Sequence, residues 1–103
     1  MVWQPITEVQ LTDVLNTELA GLSPADRSRF QVIAVKPVLI PCQRFKNSET
    51  EQVFVVARHD RMLICYDDVE HEFVTGTPGP DGILQNWGLG GNLMTAVCEL
   101  LEN

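Results

Sequence analysis

Two strongly apolar runs, Gln52-Val53-Phe54-Val55-Val56-Ala57-Arg58 and Met62-Leu63-Ile64-Cys65-Tyr66, are separated only by His59-Asp60-Arg61. Runs this short, rich in β-branched and aromatic residues and joined this tightly, predict a β-hairpin and little else. Everything else in the chain must cover that hairpin. Upstream, Leu11, Val14, Leu15, Leu19 and Leu22 recur at spacings of three and four, so Thr7 to Leu22 reads as an amphipathic helix with Gly21 near its end. Ser23-Pro24-Ala25-Asp26 carries the marks of a second helix start, with a short helical segment to about Phe30.

Gln31 to Lys36 then alternates as a strand would, and Pro37 and Pro41 bracket Val38-Leu39-Ile40, which suggests an edge strand or a bend. Lys46 to Glu51 reads as a loop, Val69 to Thr75 as a further strand, Gly76 to Gly82 as a loop, and Ile83 to Trp87 as a short strand. Gly88 to Gly91 forms a turn. Asn92 is placed to cap a last helix with Leu93, Ala96, Val97, Leu100 and Leu101 on its buried stripe. The expectation is one domain over residues 1–103. Its fold class is α+β: a mostly antiparallel sheet of four to six strands, with an N-terminal and a C-terminal helix packed on one face. Val55, Ile64, Leu15, Val97 and Leu100 are predicted to be buried.

Charge is distributed unevenly along this frame. Met1 to Arg61 holds seven acids and seven bases; Met62 to Asn103 holds seven acids and no Lys or Arg, so the whole net charge of -7 falls in the second part. Four of those acids lie in the octet Tyr66-Asp67-Asp68-Val69-Glu70-His71-Glu72-Phe73. Such crowding destabilises a domain unless a cation, a metal or a basic partner relieves it, although a solvated acidic edge serves solubility alone. Nucleic acid is not an expected ligand, because phosphate contacts need clustered bases. The apolar runs are too short to span a membrane. No secretory leader is expected, and three widely spaced cysteines (Cys42, Cys65, Cys98) with no CxxC suit a cytoplasmic protein. Cys65 and Cys98 are expected in the core, whereas Cys42 could be exposed.

Read as an extended strand, the octet turns Asp68, Glu70 and Glu72 to one side and Val69 and Phe73 to the core, with His71 on that core face or at its edge. Three carboxylates on one face could hold a divalent cation, but a catalytic metal needs ligands converging from several elements and the spacing is not that of a calcium loop, so no metal and no cofactor are expected. No nucleophile and base are paired: His59 and His71 sit apart, and no Gly-x-Ser-x-Gly elbow occurs. Gly88-Leu89-Gly90-Gly91-Asn92 lacks the Lys-Ser/Thr of a phosphate loop. Trp87 is either an interface anchor or a core residue beneath the last helix.

The stretch from Val55 to Phe73, with Tyr66-Asp67-Asp68-Val69-Glu70-His71-Glu72-Phe73 at its end and Asp81-Gly82-Ile83-Leu84 after it, resembles small acidic immunity proteins of bacterial polymorphic-toxin and contact-dependent growth inhibition systems. The resemblance covers about half the chain, from Gln52 onward. It implies a cytoplasmic, non-enzymatic protein that binds and neutralises a cognate toxin domain, commonly a basic nuclease, by covering its active site. Asp67, Asp68, Glu70 and Glu72, with Asp60, Asp81 and Trp87, are the candidate contact residues. Two alternatives stand beside this reading: a small metal-dependent or carboxylate-using hydrolase built on Asp68, Glu70, Glu72 and His71, and an acidic adaptor or structural subunit.

Overall fold

The computed structural model describes residues 6–43, 49–85 and 90–102. The fold is α+β: helices α1 (Glu8–Ala20) and α2 (Pro24–Ile33), strands β1 (Ala34–Cys42), β2 (Glu51–His59), β3 (Met62–Asp67) and β4 (Glu72–Gly76), then helix α3 (Leu93–Glu102). The strands form one antiparallel sheet in the order β1-β2-β3-β4, each beside its sequence neighbour. Short connections allow no other arrangement without a crossover.

Local chemistry sets the helix ends. Thr7 and Gln10 form a reciprocal capping box on α1, and the Ser23 hydroxyl accepts the Asp26 N–H at the start of α2, with Pro24 in the first turn. Asn92 Oδ1 accepts the Thr95 N–H and hydroxyl at the start of α3. The helix α2 runs through Val32 and Ile33, so the strand read over Gln31–Lys36 begins only at Ala34. The β-branched pair imitated a strand; Phe30 and Ile33, three apart, instead bury on one helical face while Val32 points out.

Strand alternation divides the sheet into two apolar faces. On one, Ile64, Tyr66 and Phe73 pack with Leu11, Phe30, Ile33, Leu93, Val97 and Leu100 of the three helices. On the other, Val53, Val55, Leu63, Cys65 and Val74 pack with Cys42 and Leu84. Between Val55 and Ala57 the β2–β3 register slips by one residue, and this bulge lets both Val56 and Ala57 join the helix face. Of the residues expected in the core, Val55, Ile64, Val97 and Leu100 are buried, and Leu15 is partly buried against the helix-face cluster.

After β4 the chain crosses the second face as a strap. Leu84 reaches β1 at Cys42: its N–H donates to the Pro41 carbonyl and its carbonyl accepts the Gln43 N–H. Pro41 therefore turns its missing N–H away from β2, as an edge-strand proline must. At Gly91 the chain lies against the opposite edge, exchanging two backbone hydrogen bonds with Phe73. The short strand expected over Ile83–Trp87 is, among the described residues, a single bridge at Leu84; Trp87 lies outside them. No helix among the described residues is long and apolar enough to cross a membrane.

Candidate functional site: the acidic turn and the two ends of the sheet

The acidic octet is a turn, not a strand. β3 ends at Asp67, residues 68–71 form the reversal, and β4 begins at Glu72. Asp67 is 4% exposed, and its Oδ1 accepts the N–H groups of Val69 (3.1 Å) and Glu70 (3.4 Å). An aspartate that bonds the backbone just ahead of it stabilises a turn in place of an extended strand. His71 completes the reversal with φ 57°, in the left-handed region. Two expectations fall with the strand. Val69 is 42% exposed instead of buried, and Asp68, Glu70 and Glu72 do not share a strand face. Phe73, by contrast, is in the core as expected and lies against Tyr66, ring centroids 5.0 Å apart.

The carboxylates have separate local roles. Asp68, 9% exposed, accepts the Ile6 N–H at 2.8 Å, tying the chain ahead of α1 to the turn across 62 positions of sequence. The Glu72 side chain lies over Gly90, where a Cβ atom would overlap its carboxylate and its own Cβ, so the edge bridge at Gly91 depends on glycine beside it. Asp81 Oδ1 accepts the Ile83 N–H in the strap, and Glu99 Oε2 accepts the hydroxyl of the buried Thr75. Glu70 alone of the octet acids is exposed, and its carboxylate has no bond to a described residue. Backbone N–H groups thus relieve much of the like-charge crowding that a metal or a partner would otherwise have to relieve.

Electrostatics at this end fall on Tyr66. Burial raises its phenol above the ordinary value, and the Asp68 and Asp67 carboxylates push it further in the same direction. Its Oη lies 3.5 Å from His71 Nδ1. That separation is at the long limit of a hydrogen bond, and which of the two groups donates depends on the His71 tautomer. Among the described residues no three His, Cys, Asp or Glu side chains are placed to hold a metal ion.

The candidate contact residues do not form one patch. Met62 pairs with His59 at one end of β3 and Asp67 pairs with Glu72 at the other, so the Asp60 turn and the 67–72 turn lie at opposite ends of the sheet, separated by five strand steps or roughly 17 Å. Asp60 sits among His59, Arg58 and Arg61, its carboxylate 3.9 Å from His59 Nε2. Asp81 is exposed in the strap. At the acidic end Glu51 and Asp68 share a depression with Ile6, Phe54 and Tyr66. Sequence reading had not placed Glu51 there, though its position at the start of β2, alongside the end of β3, follows from the hairpin. The cysteines depart from expectation in two places: Cys42 is buried beside Leu84, and Cys98 is only partly buried, its Sγ 3.9 Å from Arg29 Nη1.

Comparison with known protein families, curated proteins and solved structures finds no match to this chain.

Proposed function

We propose that this protein is an immunity-type inhibitor, binding a basic toxin domain, most simply a nuclease, and covering its active site with the acidic end of the sheet. The observation that carries the reading is charge segregation: no Lys or Arg occurs from Met62 to Asn103, and the octet acids gather at one tight turn. The likeness of the Val55–Phe73 stretch to immunity proteins points the same way. A nuclease must present Lys and Arg to hold phosphates, and an acidic rim complements that surface and steers association. Asp67 acts here by positioning, because its bonds to Val69 and Glu70 hold the turn from which Glu70 projects. The reading assigns no catalytic residue, no cofactor and no membrane contact, and places the protein in the cytoplasm with its target.

The test leaves Asp68 intact, since it anchors Ile6. Glu70→Lys is compared with the parent against a basic partner protein recovered by co-purification with the parent, and association is followed at several salt concentrations. Slower association by about tenfold at low salt, converging on the parent at high salt, is expected, with weaker protection of growth. Equal protection at equal expression, with an unchanged association rate, would remove the acidic turn from the interface.

A further inference from the structure

The opposite end of the molecule carries a surface of different chemistry. On the face crossed by the strap, β1, the β2–β3 hairpin and Pro78 enclose an open groove. Its floor is Val55 and Leu63, both buried; Val35, Val38 and Ile40 of β1 form one wall. Arg58 and Arg61 line it as well, and no described carboxylate does. The Nε–H of Arg58 donates to the Asp60 carbonyl at 3.1 Å, which orients its guanidinium and leaves the terminal nitrogens unengaged among the described residues. Arg61 has no bond to a described residue, and the Asp60 carboxylate is turned to His59. Two uncompensated guanidinium groups thus border an apolar groove in a chain of net charge -7.

Two of the large apolar side chains exposed among the described residues, Val35 and Val38, line this groove, whereas Leu39, next to Val38, faces the helix side of the sheet with Ile6 and Phe54. Exposed apolar side chains gathered along one groove mark a contact surface. We infer that this groove docks a segment of a partner protein that carries apolar side chains and a carboxylate, the carboxylate taken by Arg58 and Arg61. Charge complementarity selects that occupant. A second copy using the same groove across a two-fold axis would set arginines against arginines. A small amphiphile would be poorly enclosed, since Val35 and Val38 remain 37% and 53% exposed and small-molecule sites bury most of their ligand. The segment lies across the face instead of extending the sheet, because the outward edge of β1 lacks donors at Pro37 and Pro41 and is occupied at Pro41 by Leu84. Planar guanidinium groups accept a carboxylate in a forked geometry, which gives the groove its polarity. This inference is independent of the acidic-turn reading, since it concerns the other end of the sheet.

The probe is a random peptide display library selected on the full-length protein. The expected winners carry Asp or Glu flanked by apolar residues, shift the methyl resonances of Val35 and Val38, and bind the doubly reversed variant Arg58→Glu, Arg61→Glu at least about tenfold more weakly. Both arginines are exposed, so the backbone amide spectrum of that variant should match the parent. Val38→Glu, also at an exposed position, provides a second variant that should repel the same peptides. Any of four results overturns the inference: no enrichment over an unrelated protein; winners that bind parent and variants alike; decanoate shifting the same methyl groups as tightly as the peptides; or a concentration-dependent dimer that buries Val38.

Discussion

The two faces of the sheet solve the same burial problem with different means. The helix face is covered by all three helices and joins residues from both ends of the chain, Leu11 to Leu100, in one cluster. Among the described residues the outer face is covered by the stretch that runs from β4 to Leu84, its fully buried plug, and part of the face stays open as the Arg58–Arg61 groove. Helices supply a continuous apolar stripe, whereas a strap supplies one side chain at a time. The fold thereby concentrates its core on one side and leaves apolar surface available on the other.

Truncations on each face sharpen that contrast. Leu100→Ala, at a fully buried position of α3, should cost ~2–5 kcal/mol in chemical denaturation, the usual range for a leucine removed from a core. Leu84→Ala should cost about 2–3 kcal/mol, the lower part of that range, because the neighbouring open groove lets the strap settle. A cost for Leu84 equal to that of Leu100 would show the outer face to be an equal core. At the β4 edge, Gly90→Ala sets a methyl group against Glu72 and should cost about 1–3 kcal/mol as overpacking. Adding Glu72→Ala should recover part of that loss in a double-mutant cycle, and purely additive losses would mean that the two do not touch.

A contrast between the faces can also be read from pH. On the outer face, burial and, secondarily, nearby Cys42 raise the Cys65 thiol from 9.0 to about 12. Folding therefore favours the protonated thiol. Below pH 9 both folded and unfolded forms keep that proton and stability is unaffected. Between pH 9 and 12 the unfolded chain ionises first, and stability should fall by up to about 1.4 kcal/mol per pH unit. Tyr66, on the helix face, is raised in the same direction, so Cys65→Ala should flatten the alkaline slope without abolishing it. A slope unchanged by Cys65→Ala would show that the outer face admits hydroxide or water freely.

Much of this architecture is legible in the chain because the hairpin is specified by period and spacing alone. Val53 through Tyr66 has no helical reading that buries its apolar residues, and the stripes of α1 and α3 leave one face each to cover it. What escapes is decided by side-chain bonds that a pattern of apolar and polar residues does not encode. Asp67 could stand in a strand or cap a turn; only its proximity to the Val69 and Glu70 N–H groups decides, and with it the direction of Val69. Val32 and Ile33 suit either a strand or a helix end, and packing of Ile33 against the core selects the helix. The split of the acidic candidates follows from the hairpin itself. Asp60 lies in one reversal and Asp67 just before the next, so a strand length must separate them.

The strap also bears on how the protein assembles. The four strands pair with sequence neighbours, so the sheet can form from local contacts, which favours rapid folding. The bridges of Leu84 to Cys42 and of Gly91 to Phe73 join one later stretch of chain to both outer strands, β1 and β4. Until that stretch arrives, the nascent sheet has two open edges, the condition in which strands of separate molecules pair. The bridges at Leu84 and Gly91 therefore act as closures, and the edges of β1 and β4 where they sit are no longer open to strands of another molecule.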